Sequence, residues 1–571
     1  MVKGIGASPG IVVGKVLVKK EEEIEIAKKT IDNAEMEISN LQSAIEKSRT
    51  QIQALYDIAL AKMGEEEAKI FEAHQMVLDD PEVFGQVENK INNEKLNAEY
   101  AIEQVVTPFI QMFEMMEDEY LKERAADLKD VTGRVIKNLL GIDMVDFSNL
   151  DDEVVIVAND LTPSDTAAMD KEKVLGFVTE IGGRTSHSAI MARTLEIPAV
   201  VGTGNVLAHV ATGDVVAFNG DEGVIFVNPD EEKIAEFHAE REKYEAFRDR
   251  LSKLIGQESV STDGVHVELA ANIGTPEDLD AVLRNDAQGV GLYRSEFLYM
   301  DRENLPTEEE QFDAYKKVVA GLEGKPVVIR TLDIGGDKKL DYLPLPEEMN
   351  PFLGYRAIRL CLDRDDIFRT QMRALLRASA FGNLKVMFPM ISSVEELRDA
   401  KAIVEEERVK LQEEGIAYDD KMEIGIMIEI PATAVIADLL AKEVDFFSIG
   451  TNDLIQYTTA VDRMNEKIAH LYNPCHPALL RLVNMVIKAG HKEGIWVGMC
   501  GEVAGDPRLI PVLLGMGLDE FSMSPISILK ARWIIGQLSK EEMEKVAETA
   551  MNLPTASEVE AYLANTIQLV D

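Results

Sequence analysis

The chain has 571 residues, enough for about three to five domains, and its 46% apolar and 28% charged residues are those of a globular protein rather than a disordered or fibrous one. Lys and Arg total 59 against 102 Asp and Glu, a formal charge of −43. A chain this acidic repels phosphate backbones and anionic headgroups, which argues against a nucleic-acid partner. Residues 1–10 lack the apolar stretch and small-residue cleavage site of a leader, and no apolar run reaches the roughly 18–20 residues of a membrane span. Three cysteines, Cys361, Cys475 and Cys500, make no disulfide framework. A cytoplasmic protein with reduced thiols and no membrane insertion is expected.

In chain order, residues 1–20 alternate apolar residues with glycine and predict a short strand segment. Helical periodicity follows to about residue 140. Ile31, Ala34, Ile38, Leu41, Ile45, Ile52 and Leu55 step by three and four, with Ser48 interrupting the seam. Pro81 and Pro108 predict breaks, hence several helices in a bundle or hairpins. From about residue 151 the texture becomes β-rich, with runs at 154–158, 174–179, 199–202, 215–219 and 223–227 separated by turn residues. If segment 10–18 joins them, the helical region is an insertion into an α/β domain. Residues 230–255 read as a charged linker helix.

Eight strand-like runs then alternate with helical patterns: 267–273, 289–297, 327–333, 384–390, 424–430, 446–454, 496–502 and 520–524. Repeated βα units with near-continuous apolar strands predict a parallel (β/α)₈ barrel. The fold class is therefore multidomain α/β: an α/β domain from 1–20 with 146–229, a helical subdomain at 21–145, a linker helix at 230–258 and a C-terminal TIM barrel at 259–571.

In such barrels the chemistry lies at the C-terminal ends of the strands. Read in order, those ends supply Asn272; Arg294 and Glu296; Arg330 and Asp333; Met390; Glu429; Asn452 and Asp453; Cys500 and Glu502; Ser522 and Ser524. Arg356 and Arg463 lie in segments able to fold over the same mouth. Collected arginines on an acidic chain point to a small, multiply charged anion, because the guanidinium fork matches carboxylate and phosphate bidentately. Glu429 and Asp453, from neighbouring strands, suit Mg²⁺, which takes oxygen ligands with one or two carboxylates. The bland alternative is a purely structural charge network. Cys500 is either a buried small hydrophobe or, given its place at the mouth, a proton donor or nucleophile.

A second cluster lies at 182–193, GGRTSHSAIMAR. Two glycines allow a tight turn and the following residues form helix, which puts His187 in a first helical turn. There the free N–H groups and the dipole favour an anion and hold the imidazole neutral. Thr166, in DLTPSDT, can accept a hydrogen bond from one ring nitrogen and leave the other free.

The segments GGRTSHSAIMARTLEIPAVVG, GVGLYRSEFLYM, RTLDIGGDK, NPFLGYRAIR, MIEIPATA, FFSIGTNDLIQYTTAVDR and MCGEVAGD together resemble Enzyme I of the bacterial phosphoenolpyruvate–sugar phosphotransferase system. The likeness runs from GASPGI near the N-terminus to the last barrel strand. It implies autophosphorylation by phosphoenolpyruvate on His187, with Mg²⁺, and transfer to the histidine carrier protein HPr with release of pyruvate. By the same resemblance Arg294, Arg330, Arg463 and Asn452 hold phosphoenolpyruvate, Glu429 and Asp453 bind the metal, and Cys500 protonates the enolate. Arg356, Asp333 and Lys338 match further pocket positions. The helical subdomain would meet HPr, with Phe71, Met76 and Arg124 as contacts, and the barrel would form a homodimer.

Two other readings stand beside this one. A pyruvate,phosphate dikinase or phosphoenolpyruvate synthase shares the histidine domain and barrel, but adds a nucleotide-binding module for which no GxxxxGK[ST] or Gly-rich segment is present. A catalytically silent signalling scaffold would keep the fold and lose catalytic positions.

Overall fold

The structure is a computed structural model that describes all residues except 20–25, 63–64, 115–118, 143–146, 148–149, 151, 171, 184–185, 196, 301, 337, 339, 341, 466 and 570–571, and the side chains of 61–62, 65–67, 114, 119–123, 187 and 194. It divides into two compact units, Met1–Phe247 and Arg248–Asp571.

The first unit is built on strands β1 (Val2–Lys3), β2 (Ile5–Ser8), β3 (Ile11–Val18), β4 (Val154–Ala158), β5 (Val174–Thr179), β6 (Ala199–Val201), β7 (Val215–Asn219) and β8 (Val224–Val227). They form one sheet in the order β1-β8-β7-β3-β4-β5-β6-β2. β3, β4, β5 and β6 run parallel, and the strands flanking them pair antiparallel. Residues of β4 alternate between two apolar layers, Val155 and Val157 in one and Ile156 and Ala158 in the other, so the strand is covered on both faces and reads as a continuous apolar run.

Between β3 and β4 the chain forms the helices α1 (Ala34–Lys62), α2 (Glu65–Leu78), α3 (Gln86–Glu94), α4 (Ala98–Glu114) and α5 (Glu119–Leu140) around a core of their own. Leu41, Ile52 and Leu55 are buried in it, with Ile31, Ile38 and Ile45 packed against its edge. Ser48, the interruption of the seam, is also buried. Its hydroxyl donates to the Ala44 carbonyl at 2.8 Å and accepts from the Asn138 amide at 2.8 Å, which satisfies it inside the bundle. Pro81 ends one helix and starts a short turn capped by Asp80. Pro108 does not break its helix as its presence predicts. It lies inside α4, where Val105 and Val106 are buried and Phe109, Ile110 and Phe113 pack on the core, and this burial outweighs one lost backbone hydrogen bond.

Three further helices complete this part of the chain: α6 (Pro163–Ala168), α7 (His187–Leu195) and α8 (Glu231–Ser252). The division between the two units falls within α8.

In the second unit β9 (Glu268–Ile273), β10 (Gly289–Arg294), β11 (Val327–Arg330), β12 (Leu384–Phe388), β13 (Ile424–Ile428), β14 (Phe446–Ile449), β15 (Trp496–Met499) and β16 (Glu520–Met523) close a parallel barrel in sequence order, β16 pairing with β9. The eight runs expected from the sequence match these strands, but most of the strands stop earlier than expected. Asn452 and Asp453 are not strand residues: they lie in the first turn of the helix Thr451–Thr459, and Glu502 opens a short turn after β15. Apolarity alone does not mark where a parallel strand gives way to the loop above it, because both are buried here.

Outward-facing strand residues such as Val386, Ile426, Phe447 and Val497 pack under the helices, and a separate small cluster that includes Leu292, Val328, Met387, Met427 and Phe446 fills the barrel. Phe447→Ala, at a fully buried position of the strand–helix layer, is expected to lower the unfolding free energy of this unit by about 3–5 kcal/mol in denaturant titrations, whereas Met349→Ala at an exposed loop stays within about 0.5 kcal/mol.

Candidate active site

At the C-terminal mouth of the barrel lies a cavity of about 540 Å³. Its wall carries five cations (Arg294, Arg330, Lys338, Arg356 and Arg463) and five acids (Glu296, Asp333, Glu429, Asp453 and Glu502), with Asn452 and Cys500 among the remaining lining. The expected phosphoenolpyruvate-binding and metal-binding residues are thus brought to one place from seven strand ends and loops.

A buried ion-pair network forms one side. Arg330 donates to Glu296 at 2.6 Å and pairs with Asp333 at 2.9 Å, and Lys338 donates to the same Glu296 oxygen at 2.7 Å. Arg356 forks onto Asp333 at 2.8 and 3.0 Å and reaches Asp453 at 3.3 Å. Burial pushes the Asp333 carboxyl up, but the Arg330 and Arg356 guanidiniums outweigh it and hold the group well below the usual carboxylate range. Gly335 makes the close approach possible: its φ is +114°, and a Cβ there would lie 2.5 Å from that of Arg356.

Against this paired set stand groups with open valence. Arg294 has no ion pair or side-chain hydrogen bond among the described residues, and Arg463 lies beside the Tyr472 hydroxyl and 3.7 Å from Asp453. The buried Asp453 Oδ1 accepts no hydrogen bond. Glu429 takes one from the Met390 N–H at 2.6 Å, and burial, followed by the neighbouring Asp453 and Asp333, holds its carboxyl above the usual range. Glu429, with no ion pair among the described residues, and Asp453, with an oxygen left free beside its Arg356 contact, are the kind of donor set a hard divalent cation takes. Among the described residues no group of three or more His, Cys, Asp or Glu forms a metal cluster, so substrate oxygens or water would have to complete any coordination.

Cys500 closes the floor. Burial pushes its thiol up to about 12, so at neutral pH it carries its proton. Asn272 donates to the Cys500 carbonyl at 3.0 Å and accepts from Ser522 at 2.6 Å, so it braces the segment that carries the thiol.

The sequence reading passed over two tyrosines. The Tyr457 hydroxyl accepts from Arg356 at 3.2 Å and donates to the Phe352 carbonyl, and Tyr472 donates to the Asn452 carbonyl at 3.2 Å. Tyr457 follows Asp453 by four residues on one helix, a same-face spacing that carries the signal.

The second expected site begins as anticipated at the backbone level. α7 starts at His187, and the Ser186 hydroxyl accepts from the Ala189 N–H at 3.4 Å and donates to the Gly183 carbonyl at 2.8 Å. Residues 184–185 and the His187 side chain lie outside the described residues. Thr166 is buried, and its hydroxyl reaches the Thr162 and Pro163 carbonyls at 3.2 and 3.1 Å. Both contacts use its one proton, and a lone pair is left to accept. Arg193 donates to the Ala7 carbonyl at 3.0 Å, tying α7 to β2.

Of the expected carrier contacts, Phe71 requires correction. It is fully buried in the helical core, edge-on to His74, and offers no surface. Its apolar side chain lies on the inner stripe of α2, whereas Met76 is 65% exposed and Arg124 is half-buried.

These features coincide with family membership. The chain belongs to the PEP-utilising enzymes: their N-terminal domain matches residues 3–124, their mobile domain residues 150–223 and their PEP-binding domain residues 248–540. The chain is 56% identical over 568 residues to the phosphoenolpyruvate-protein phosphotransferase of Priestia megaterium, covering 100% of this chain and 99% of that one. The proteins of the same name from Geobacillus stearothermophilus (56% identity; 100% of this chain, 98% of that one) and Bacillus subtilis (55% identity; 99% of each) are similarly close. No described helix is long and apolar enough to cross a membrane.

Asp333→Asn leaves Arg330 and Arg356 buried with half their counter-charge, and is expected to lower the stability of the barrel unit by about 3–5 kcal/mol at neutral pH. The folded Asp333 binds its proton less readily than the unfolded one, so its contribution is present above the ordinary carboxylate range and is lost as pH falls through the lowered value. Melting curves of both proteins should therefore converge in acid.

Proposed function

We propose that this chain is a phosphoenolpyruvate–protein phosphotransferase: His187 takes the phosphoryl group of phosphoenolpyruvate, pyruvate leaves, and the group passes to the carrier HPr as the first step of sugar phosphotransfer. The observation that carries this reading is the mouth itself. Uncommitted arginine, two cation-hungry carboxylates and a protonated thiol share one cavity, and phosphoenolpyruvate has the carboxylate, phosphate and methylene carbon to meet all three.

Phosphoryl transfer needs alignment and charge neutralisation more than covalent help from the protein. Arg294 and Arg463 take the substrate's anionic groups, with Asn452 contributing beside them. Arg330, Arg356 and Lys338 are already anchored on Glu296, Asp333 and Asp453, and so present their remaining N–H groups from fixed positions. Glu429 and Asp453 would hold Mg²⁺, which when bound neutralises phosphate charge. Thr166 orients the His187 ring through one nitrogen and leaves the other to attack phosphorus in line. The bond to the enolate oxygen breaks, and the Cys500 thiol gives its proton to the enolate methylene carbon to complete pyruvate.

The acceptor and donor groups belong to different units, and in this reading a swivel about α8 and its flanking loops serves to join them. Met76 and Arg124 are the proposed carrier contacts, where an acidic surface steers a basic partner. A soluble carrier implies a cytoplasmic protein, and a homodimer through the barrel is part of the same reading.

Mass spectrometry after mixing the protein with phosphoenolpyruvate and Mg²⁺ should find one acid-labile phosphate, on His187. His187→Ala should lose it while still binding phosphoenolpyruvate in the barrel. Phosphate elsewhere, labelling by ATP at an equal rate, or failure to release pyruvate with HPr present would overturn the proposal. Glu429→Gln and Asp453→Asn should each weaken the divalent-cation dependence of phosphorylation by about 10–100-fold. Cys500→Ala should slow pyruvate formation far more than it weakens substrate binding, by about 10²–10⁴-fold.

A further inference from the structure

Beneath the thiol, the barrel interior holds polar atoms where its neighbours are Leu292, Val328, Met387, Met427 and Phe446. Glu520, the first residue of β16, is buried, and its Oε2 has no hydrogen-bond partner. Ser448 on β14 is buried as well, and its hydroxyl is likewise unpartnered. Leaving such groups unsatisfied costs stability, and an apolar residue of similar size would avoid that cost.

Register explains how the two face each other. Ser448 is the Cα partner of Gly498, and Gly498 that of Glu520, so the three stand side by side in one layer across β14, β15 and β16. Cys500 lies two residues beyond Gly498, just past the end of β15, and packs with the interior residues one layer higher. The middle position has no side chain. A Cβ at Gly498 would lie 2.0 Å from Glu520 Oε2, and one at Gly291 would lie 2.1 Å from Oε1. The carboxyl therefore fills the room left by two glycines, in the same layer as Ser448, and the two groups are not hydrogen-bonded to each other in this conformation. The Ser448 hydroxyl in turn neighbours the Cys500 thiol, which also lies 3.9 Å from the Ile449 carbonyl.

We propose that Glu520 is the internal proton reserve of Cys500, returning a proton through the Ser448 hydroxyl once the thiol has protonated the enolate. This inference rests on the reading of Cys500 as the acid. The step balances without any co-reactant: the Glu520 O–H bond breaks as Ser448 Oγ takes that proton, the Ser448 hydroxyl proton moves to the thiolate, and Glu520 is left as a carboxylate. Glu268, its Cα partner on β9, is half-buried at the N-terminal end of the barrel and returns a proton from solvent. Glu520 touches no substrate and is a positioning residue in that sense.

The direction of transfer is favourable. Burial, followed by the neighbouring Glu268, holds Glu520 up at about 8, against about 12 for Cys500, so the carboxyl is protonated at neutral pH and is the stronger acid of the two. Lys385 on β12 faces Glu520 and opposes the shift; Glu423 before β13 is paired with Lys385 at 2.9 Å, and Arg330 lies on the far side of the thiol.

The test uses the full chain with Mg²⁺, phosphoenolpyruvate and HPr, following pyruvate by rapid quench. Glu520→Gln should form pyruvate in the first turnover at the wild-type rate, because its thiol starts protonated, and then slow in steady state by at least about tenfold. The wild-type steady-state rate should fall above about pH 8, as the reserve empties, and the variant should lack that limb. Ser448→Ala should show the same burst followed by slow turnover, and it decides the question alone if Glu520→Gln does not fold. A wild-type steady state, or a first turnover as slow as later ones, overturns the relay. Unimpaired pyruvate formation by Cys500→Ala would instead remove the acid assignment on which the relay rests, so the two failures are distinguishable.

Discussion

The pairing of β16 with β9 is the constraint on which the rest of the second unit depends. Four Cα partnerships, from Glu520 with Glu268 to Met523 with Ala271, join residues some 250 positions apart and turn an open sheet into a barrel. Closure fixes strand tilt and stagger together. It is this geometry that brings Arg294, Arg330, Glu429, Asp453 and Cys500 to a common mouth. Asn272 reinforces the seam by bonding to both Cys500 and Ser522, so the bracing of the thiol and the closure of the barrel are one set of contacts.

Within that frame the charged groups divide into two kinds. Glu296, Asp333, Arg330, Lys338 and Arg356 neutralise one another in a buried network. Such a network is costly to desolvate and weak as a source of stability, but it holds long side chains still. Arg294, Asp453 and Glu429 are left with charge or lone pairs uncommitted. A site for a small multiply charged anion needs both kinds: anchored cations to set its shape, and unanswered ones to give the ligand an electrostatic reason to enter.

The first unit solves a different problem. Its sheet is covered on both faces and accepts a five-helix insertion between β3 and β4 without interrupting the parallel pairing of those strands. The helices bring a core of their own, which Ala167 of α6 joins at one edge, so much of the insertion's packing comes from within it. Helix α7, which begins at His187, is fastened through Ala189, Ala192 and Leu195 to the apolar layer beneath the sheet.

Much of this was legible in the residues alone. Eight apolar runs spaced by helical patterns determine a parallel barrel, because a strand buried on both faces admits little else, and polar residues at the ends of those runs mark the mouth. The glycine turn before His187 and the order of the motifs determine the family. Tertiary structure alone decided the remainder. Phe71 has the same character in sequence whether it faces a partner or a core, and only packing placed it inside. Pro108 breaks a helix in isolation but not one held by a buried face. Which arginines are spent on acids, and which carboxylate lacks a partner, depends on contacts across tens to hundreds of residues. Linear spacing carries no record of those contacts, because they exist only once the barrel has closed.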